Sequence, residues 1–130
     1  MLVEKYDGNP LAETALRKER RPTISLITIL ELVSAISRRE QRRGIEKWEE
    51  IALKHYTILT SGFRILPITQ SIAKRAGILR TKYRGLGIEF SSADAVILAT
   101  AESLGAEVMT GGEQFKREWN KVNEVKVRTI

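Results

Sequence analysis

SSADAVILATAESLGAEVMTGGEQF, residues 91–115, is the stretch from which the fold can be read. From Ser92 to Leu104 almost every face of a helix would be apolar, the pattern of a helix buried on all sides. Gly105 is suited to end it, and AEVMT, residues 106–110, then reads as a strand before a Thr-Gly-Gly turn. One acid, Asp94, stands at the head of this apolar helix. Either it caps the helix, or it belongs to a site that gathers carboxylates from several segments.

Upstream the same alternation recurs. FRILPIT, residues 63–69, reads as a strand, and SIAKRAGILRTKYRGLG after it places Ile72, Ala76, Leu79 and Tyr83 on one helical face closed by Gly85. TISLI, residues 23–27, is β-branched and apolar, and TILELVSAISRRE from Thr28 repeats Ile29, Leu32, Val33 and Ile36 at helical spacing. GIEKWEEIALKHYTILTS gives a further amphipathic helix through Ile45, Trp48, Ile51, Ala52 and Tyr56. NPLAETALRKERRP opens on a cap and first-turn pair, Asn9 and Pro10, and predicts a short helix before Pro22. VKVRTI predicts a last strand. Strands alternating with helices imply a three-layer α/β/α fold with a mainly parallel sheet, whose ligands gather at the carboxyl ends of the strands.

Composition narrows the function. A chain of 130 residues, 42% hydrophobic and 29% charged, is expected to form one globular domain over residues 1–130. Its net charge of +6 suits a polyanionic partner. With no cysteine there is neither a disulfide frame nor a thiolate metal site, and a reducing cytoplasm is the expected setting. MLVEKYDGNP lacks the pattern of a signal peptide, and no apolar run reaches the length of a membrane span. His55 is the single histidine, which excludes sites built on two imidazoles and suits a packing or surface role. No Gly-rich phosphate loop follows the first strand, which argues against a nucleotide-binding α/β protein.

Thr28-x-x-Glu31 and Ser91-x-x-Asp94 each match a capping box, in which hydroxyl and acid satisfy orphan amides at a helix start. Their recurrence admits a second reading. In a parallel sheet both junctions lie on one edge, so both carboxylates would face one cleft at the positive ends of helices, which favour anions. Convergent carboxylate oxygens suit Mg²⁺ or Mn²⁺.

The strand followed by TILELVSAISRR, two helices, then SSADAVILATAESLGAEVMT with Phe115 five residues on, resembles a PIN domain of the VapC toxin type, from Asn9 through nearly all the remaining chain. The resemblance implies a ribonuclease, a hydrolase of toxin–antitoxin type, whose carboxylates bind one or two divalent metals. Glu31 matches the family's glutamate after the second strand and Asp94 its helix aspartate, so both are expected as catalytic metal ligands. The partners it implies are RNA, an antitoxin protein and a second copy of the chain.

Two departures stand out. The family opens on a central strand ending in aspartate, whereas MLVEKYDGNP corresponds to the helix after it. The central place is then expected to be filled by an upstream segment, a strand of a second subunit or a rearranged MLVEKY. The aspartate two residues after the last threonine is replaced by Gly112, and neighbouring Glu113 is the candidate third catalytic acid, beside glycines that permit unusual backbone angles. Asp7 beside Gly8 reads as a turn former, and Glu89 is a reserve acid without a motif. Lys74, Arg75, Arg80, Lys82 and Arg84 crowd the approach to Asp94. They are either a solvated helix face or a hold on RNA phosphates, the latter carried by Lys74, Arg80, Lys82 and Arg84. Tyr83 among them either stacks a base or joins the core. The alternative function is a PIN-like module that has lost part of its acid cluster and binds RNA or a protein without cutting.

Overall fold

The computed structural model describes residues 2–3, 23–110 and 118–129. Five strands, β1 (Leu2–Val3), β2 (Thr23–Ser25), β3 (Arg64–Leu66), β4 (Val108–Thr110) and β5 (Val127–Thr129), form one sheet in the order β3-β2-β1-β4-β5. Every pairing is parallel. The described helices are α1 (Leu26–Arg42), α2 (Trp48–Thr60), α3 (Gln70–Gly85) and α4 (Ser92–Leu104). The helix expected at Asn9 and Pro10 lies outside the described residues.

Apolar side chains on both faces of the sheet account for the layers. Neighbouring strand residues point to opposite faces, and on β4 Val108 joins the large cluster of α3 and α4 while Met109 packs with Ile24, Ile29 and Phe63. The large cluster includes Leu79, Tyr83, Ile97, Leu98 and Trp119, all essentially without solvent exposure. Tyr83 meets the Phe90 ring edge-on at 5.4 Å, and Phe90 lies 5.2 Å from Trp119. A smaller cluster of Leu32, Ile36 and Ala52, flanked by Tyr56 and Leu59, locks α1 to α2.

The N-terminus departs from expectation. Leu2 and Val3 form a strand rather than a helix, and they fill the central position between β2 and β4, with Leu2 opposite Thr23 and Val108 and Val3 opposite Met109. The chain therefore supplies the central strand from within MLVEKY, one of the three ways expected for that place to be filled. The physical reason is hydrogen bonding: β2 and β4 without a strand between them would bury unpaired amides and carbonyls.

A second correction concerns the start of α1. The strand expected over residues 23–27 ends at Ser25, and Ser25 caps the helix by accepting a hydrogen bond from the Ile27 amide at 3.3 Å. Thr28 is therefore inside the helix and buried, and no acid lies in the first turn. The capping box expected at Thr28 and Glu31 does not form.

Leu98→Ala should lower stability by about 2–5 kcal/mol, because a fully buried leucine leaves a cavity that close packing refills only in part. Leu104→Ala, on the exposed last turn of the same helix, should cost about 0.5 kcal/mol or less. Denaturant titration of the two variants checks the contrast.

Candidate active site

α1 leaves directly from the carboxyl end of β2, so its N-terminus lies on that edge of the sheet. α4 reaches the same edge differently. It follows α3 through a loop rather than a strand, but its C-terminus leads through Gly105 into the start of β4. A helix of its length spans about 20 Å, so its N-terminus returns to the strands' carboxyl end. Gly105 makes the reversal with φ of 61°, a left-handed angle that glycine adopts without a Cβ clash. α1 and α4 pack together, which brings the helices carrying Glu31 and Asp94 into contact.

Asp94 is 5% exposed. Ser91 caps α4 by accepting from the Asp94 amide at 3.1 Å, one half of a capping box. Among the described residues the reciprocal half is missing and the buried Asp94 Oδ1 atom has no hydrogen-bond partner. A capping role leaves that oxygen unexplained, since burying an unsatisfied carboxylate oxygen is costly. Glu31 is half-buried in the second turn of α1, too far along to cap it. A hard cation would complete the Asp94 oxygen, and two carboxylates on packed helices are the donor type such ions take. Among the described residues no third metal-ligating side chain joins them. Glu113, Gly112 and Asp7 lie outside the described residues, as does Glu4, which follows β1 in the sequence.

Most of the expected RNA-binding cations already have partners. Lys82 pairs with Glu124 at 2.6 Å, Arg84 with Glu89 at 3.6 Å, and Arg80 donates to the Phe90 carbonyl at 3.0 Å. Arg75 makes a two-pronged contact with Glu102 at 2.7 and 2.9 Å. Lys74 is exposed and has no ion pair among the described residues. Tyr83 is core: it is fully buried, donates to Glu124 and accepts from the Asn123 amide at 3.1 Å. Glu89 is spent on Arg84 at the surface, and His55 packs its Nδ1 3.1 Å from Arg39 Nη2.

Glu124, which the sequence reading passed over, ties the C-terminal segment to α3. Burial alone would raise its carboxyl, but hydrogen bonds from Lys82 and Tyr83 outweigh that and hold it below the usual carboxylate range. Burial, then the contact with Glu124, pushes the Tyr83 phenol up. No local pattern marks this triad, since the contact joins residues 42 apart in sequence.

Comparison with known proteins agrees with this architecture. The PIN domain family model matches residues 2–118. The chain belongs to the PIN-domain family. Among solved structures this PIN domain is similar to the DNA-bound VapBC of Salmonella typhimurium, at 19% identity and a TM-score of 0.70, covering 98% of this chain and 96% of that one. It is similar to VapBC2 of Rickettsia felis bound to promoter DNA, at 20% identity and a TM-score of 0.70, covering 100% and 99%. A toxin–antitoxin complex from Klebsiella pneumoniae matches at 28% identity and a TM-score of 0.59, covering 91% and 83%. No curated protein sequence matches significantly.

Replacing Glu124 by Gln should destabilise the PIN domain at neutral pH by about 1 kcal/mol, the value of a charge-assisted bond discounted for the half-exposed Lys82. A carboxyl depressed by folding stabilises the native state above its unfolded pKa, near 4.5, and loses that contribution as pH falls through the lower folded value. The melting temperatures of wild type and variant should therefore differ at pH 7 and converge below pH 4.5.

Proposed function

We propose that this PIN domain is a divalent-metal-dependent endoribonuclease of the VapC toxin type, with Glu31 and Asp94 as its metal ligands. The observation that carries the reading is the buried Asp94 Oδ1, which has no hydrogen-bond partner among the described residues although it sits at the head of a helix capped by Ser91. A bound Mg²⁺ or Mn²⁺ would supply Lewis-acid polarisation of the phosphodiester and a more acidic water. Glu31 and Asp94 would hold that ion, and Lys74 would contact the RNA backbone; Arg80, Lys82 and Arg84 would join it by exchanging their present partners for phosphate. The Arg84–Glu89 pair is a surface contact worth about 0–1 kcal/mol, so its exchange costs little; Lys82 would leave a nearly buried Glu124 and Arg80 a backbone carbonyl, so theirs costs more. Glu113, or Glu4 after the central strand, would supply a third carboxylate.

Partners of the solved relatives support an antitoxin for this chain as well. Leu26 and Leu30, 46% and 63% exposed on the turns of α1 that carry Glu31, offer apolar area for such a protein. A homodimer would cover Ile78 and Leu86, which are 59% and 66% exposed. A cytoplasmic setting belongs to this proposal and is in keeping with a cysteine-free sequence.

The second reading, a PIN module that binds RNA or protein without cutting it, is favoured by one observation: among the described residues the acids number too few for a three-ligand cluster. Cleavage of single-stranded RNA decides between them. With Mn²⁺ the wild type should cut, and Asp94→Asn should reduce cutting to background; binding without cutting in the wild type would establish the second reading.

Metal should also stabilise the fold. At a Mn²⁺ concentration a hundredfold above its Kd the wild type should gain about 2.7 kcal/mol, and Asp94→Asn should lose most of that gain. Thermal melts with Mn²⁺ and with EDTA measure it.

A further inference from the structure

The α3 cations are mostly engaged by glutamates, so the residual positive surface lies elsewhere. The last turns of α1 carry Arg38, Arg39, Arg42 and Arg43 against one glutamate, Glu40. That glutamate is 1% exposed and is used entirely on its neighbours, accepting from Arg39 Nε at 3.3 Å and from Arg43 Nη1 at 3.2 Å. Arg39 extends its other arm to His55 on α2. These contacts fix Arg39 and Arg43 against the α1–α2 pair. Arg38 and Arg42 remain exposed, with no ion pair among the described residues.

Arg38 and Arg42 are placed in register with the candidate active site. They follow Glu31 at i+7 and i+11. At 3.6 residues per turn these positions fall within about 20° of Glu31 on either side of the helix circumference, and about 10 and 16 Å along its axis. Ala35, a small residue at i+4, lies between. One stripe of α1 thus begins at a proposed metal ligand and continues as two guanidinium groups with no ion pair among the described residues. Cations at a helix C-terminus are favoured by the helix dipole, and that accounts for one or two of the four arginines. It does not account for a buried acid that neutralises one side of the turn and leaves the Glu31 side positive. Guanidinium groups match phosphate oxygens in a two-pronged geometry that lysine lacks.

We infer that the Glu31–Arg38–Arg42 stripe of α1 is the track of the substrate strand, with Arg38 and Arg42 each taking a backbone phosphate of single-stranded RNA on one side of the cleavage point. This rests on the ribonuclease reading above and names the direction in which its substrate runs. The contacts are to phosphate, so the track adds affinity without sequence preference.

Binding of a fluorescently labelled single-stranded RNA, measured in EDTA across a salt series, tests the track apart from cleavage. Each phosphate contact on a single strand contributes about 0.7 to the slope of log affinity against log salt, so Arg38→Gln/Arg42→Gln should flatten it by about 1.4. Arg38→Lys/Arg42→Lys should keep most of the slope, and Lys54→Gln on α2 should leave it unchanged. An unaltered slope in the glutamine variant, with wild-type cleavage in Mn²⁺ intact, overturns the track and leaves the ribonuclease reading standing. A flattened slope in the glutamine variant beside a wild type that does not cut overturns the ribonuclease and keeps Arg38 and Arg42 as phosphate contacts alone. A wild type that binds no RNA at low salt overturns both.

Discussion

Burial of α4 against the sheet is the constraint on which the remaining structure depends. Ile97, Leu98, Ala99 and Ala101 have almost no solvent exposure, and they contact α3 on one side and the sheet on the other. A helix enclosed in this way cannot shift without opening the main core. Its N-terminus is therefore held rigidly at the carboxyl edge of the sheet, and with it Asp94. The same packing excludes water from Asp94 Oδ1, so the rigidity of the scaffold and the burial of that carboxylate have one cause. A carboxylate at that position on a surface helix would be solvated and chemically ordinary.

Electrostatics divides the molecule into two unlike regions. Around α3 and α4 the charges are paired, Arg75 with Glu102 and Lys82 with Glu124 across long sequence separations and Arg84 with nearby Glu89. The first two pairs fasten the C-terminal segment and α4 to α3. Along α1 the balance differs, because one buried glutamate serves two arginines and two others remain unpaired among the described residues. A net charge of +6 spread over the surface says little about a partner, whereas its concentration on one helix stripe gives a direction.

The central strand shows how little sequence a position in a sheet requires. β1 consists of Leu2 and Val3, yet it is paired on both sides. Its strand character comes from the hydrogen-bonding groups that β2 and β4 present to it, more than from its own propensity. Strand assignments at chain ends are for this reason poorly served by local pattern.

The sequence by itself determined the elements whose apolar spacing extends over several turns. Ile72, Ala76, Leu79 and Tyr83 forecast the buried face of α3, and the unbroken apolar run after Asp94 forecast an enclosed α4 ended by Gly105, because helical periodicity accumulates with length. The alternation of strands and helices carried the α/β class, and the motif around Ser91 to Thr110 carried the family. Tertiary structure decided what no local window contains. It placed Leu2–Val3 in the sheet centre, began α1 at Leu26 so that Glu31 could not cap it, and spent Lys82 and Tyr83 on Glu124. It also left Asp94 Oδ1 buried without a hydrogen-bond partner among the described residues. These outcomes depend on which distant groups satisfy each other's hydrogen bonds and charges, and pairing across tens of residues leaves no period in the chain.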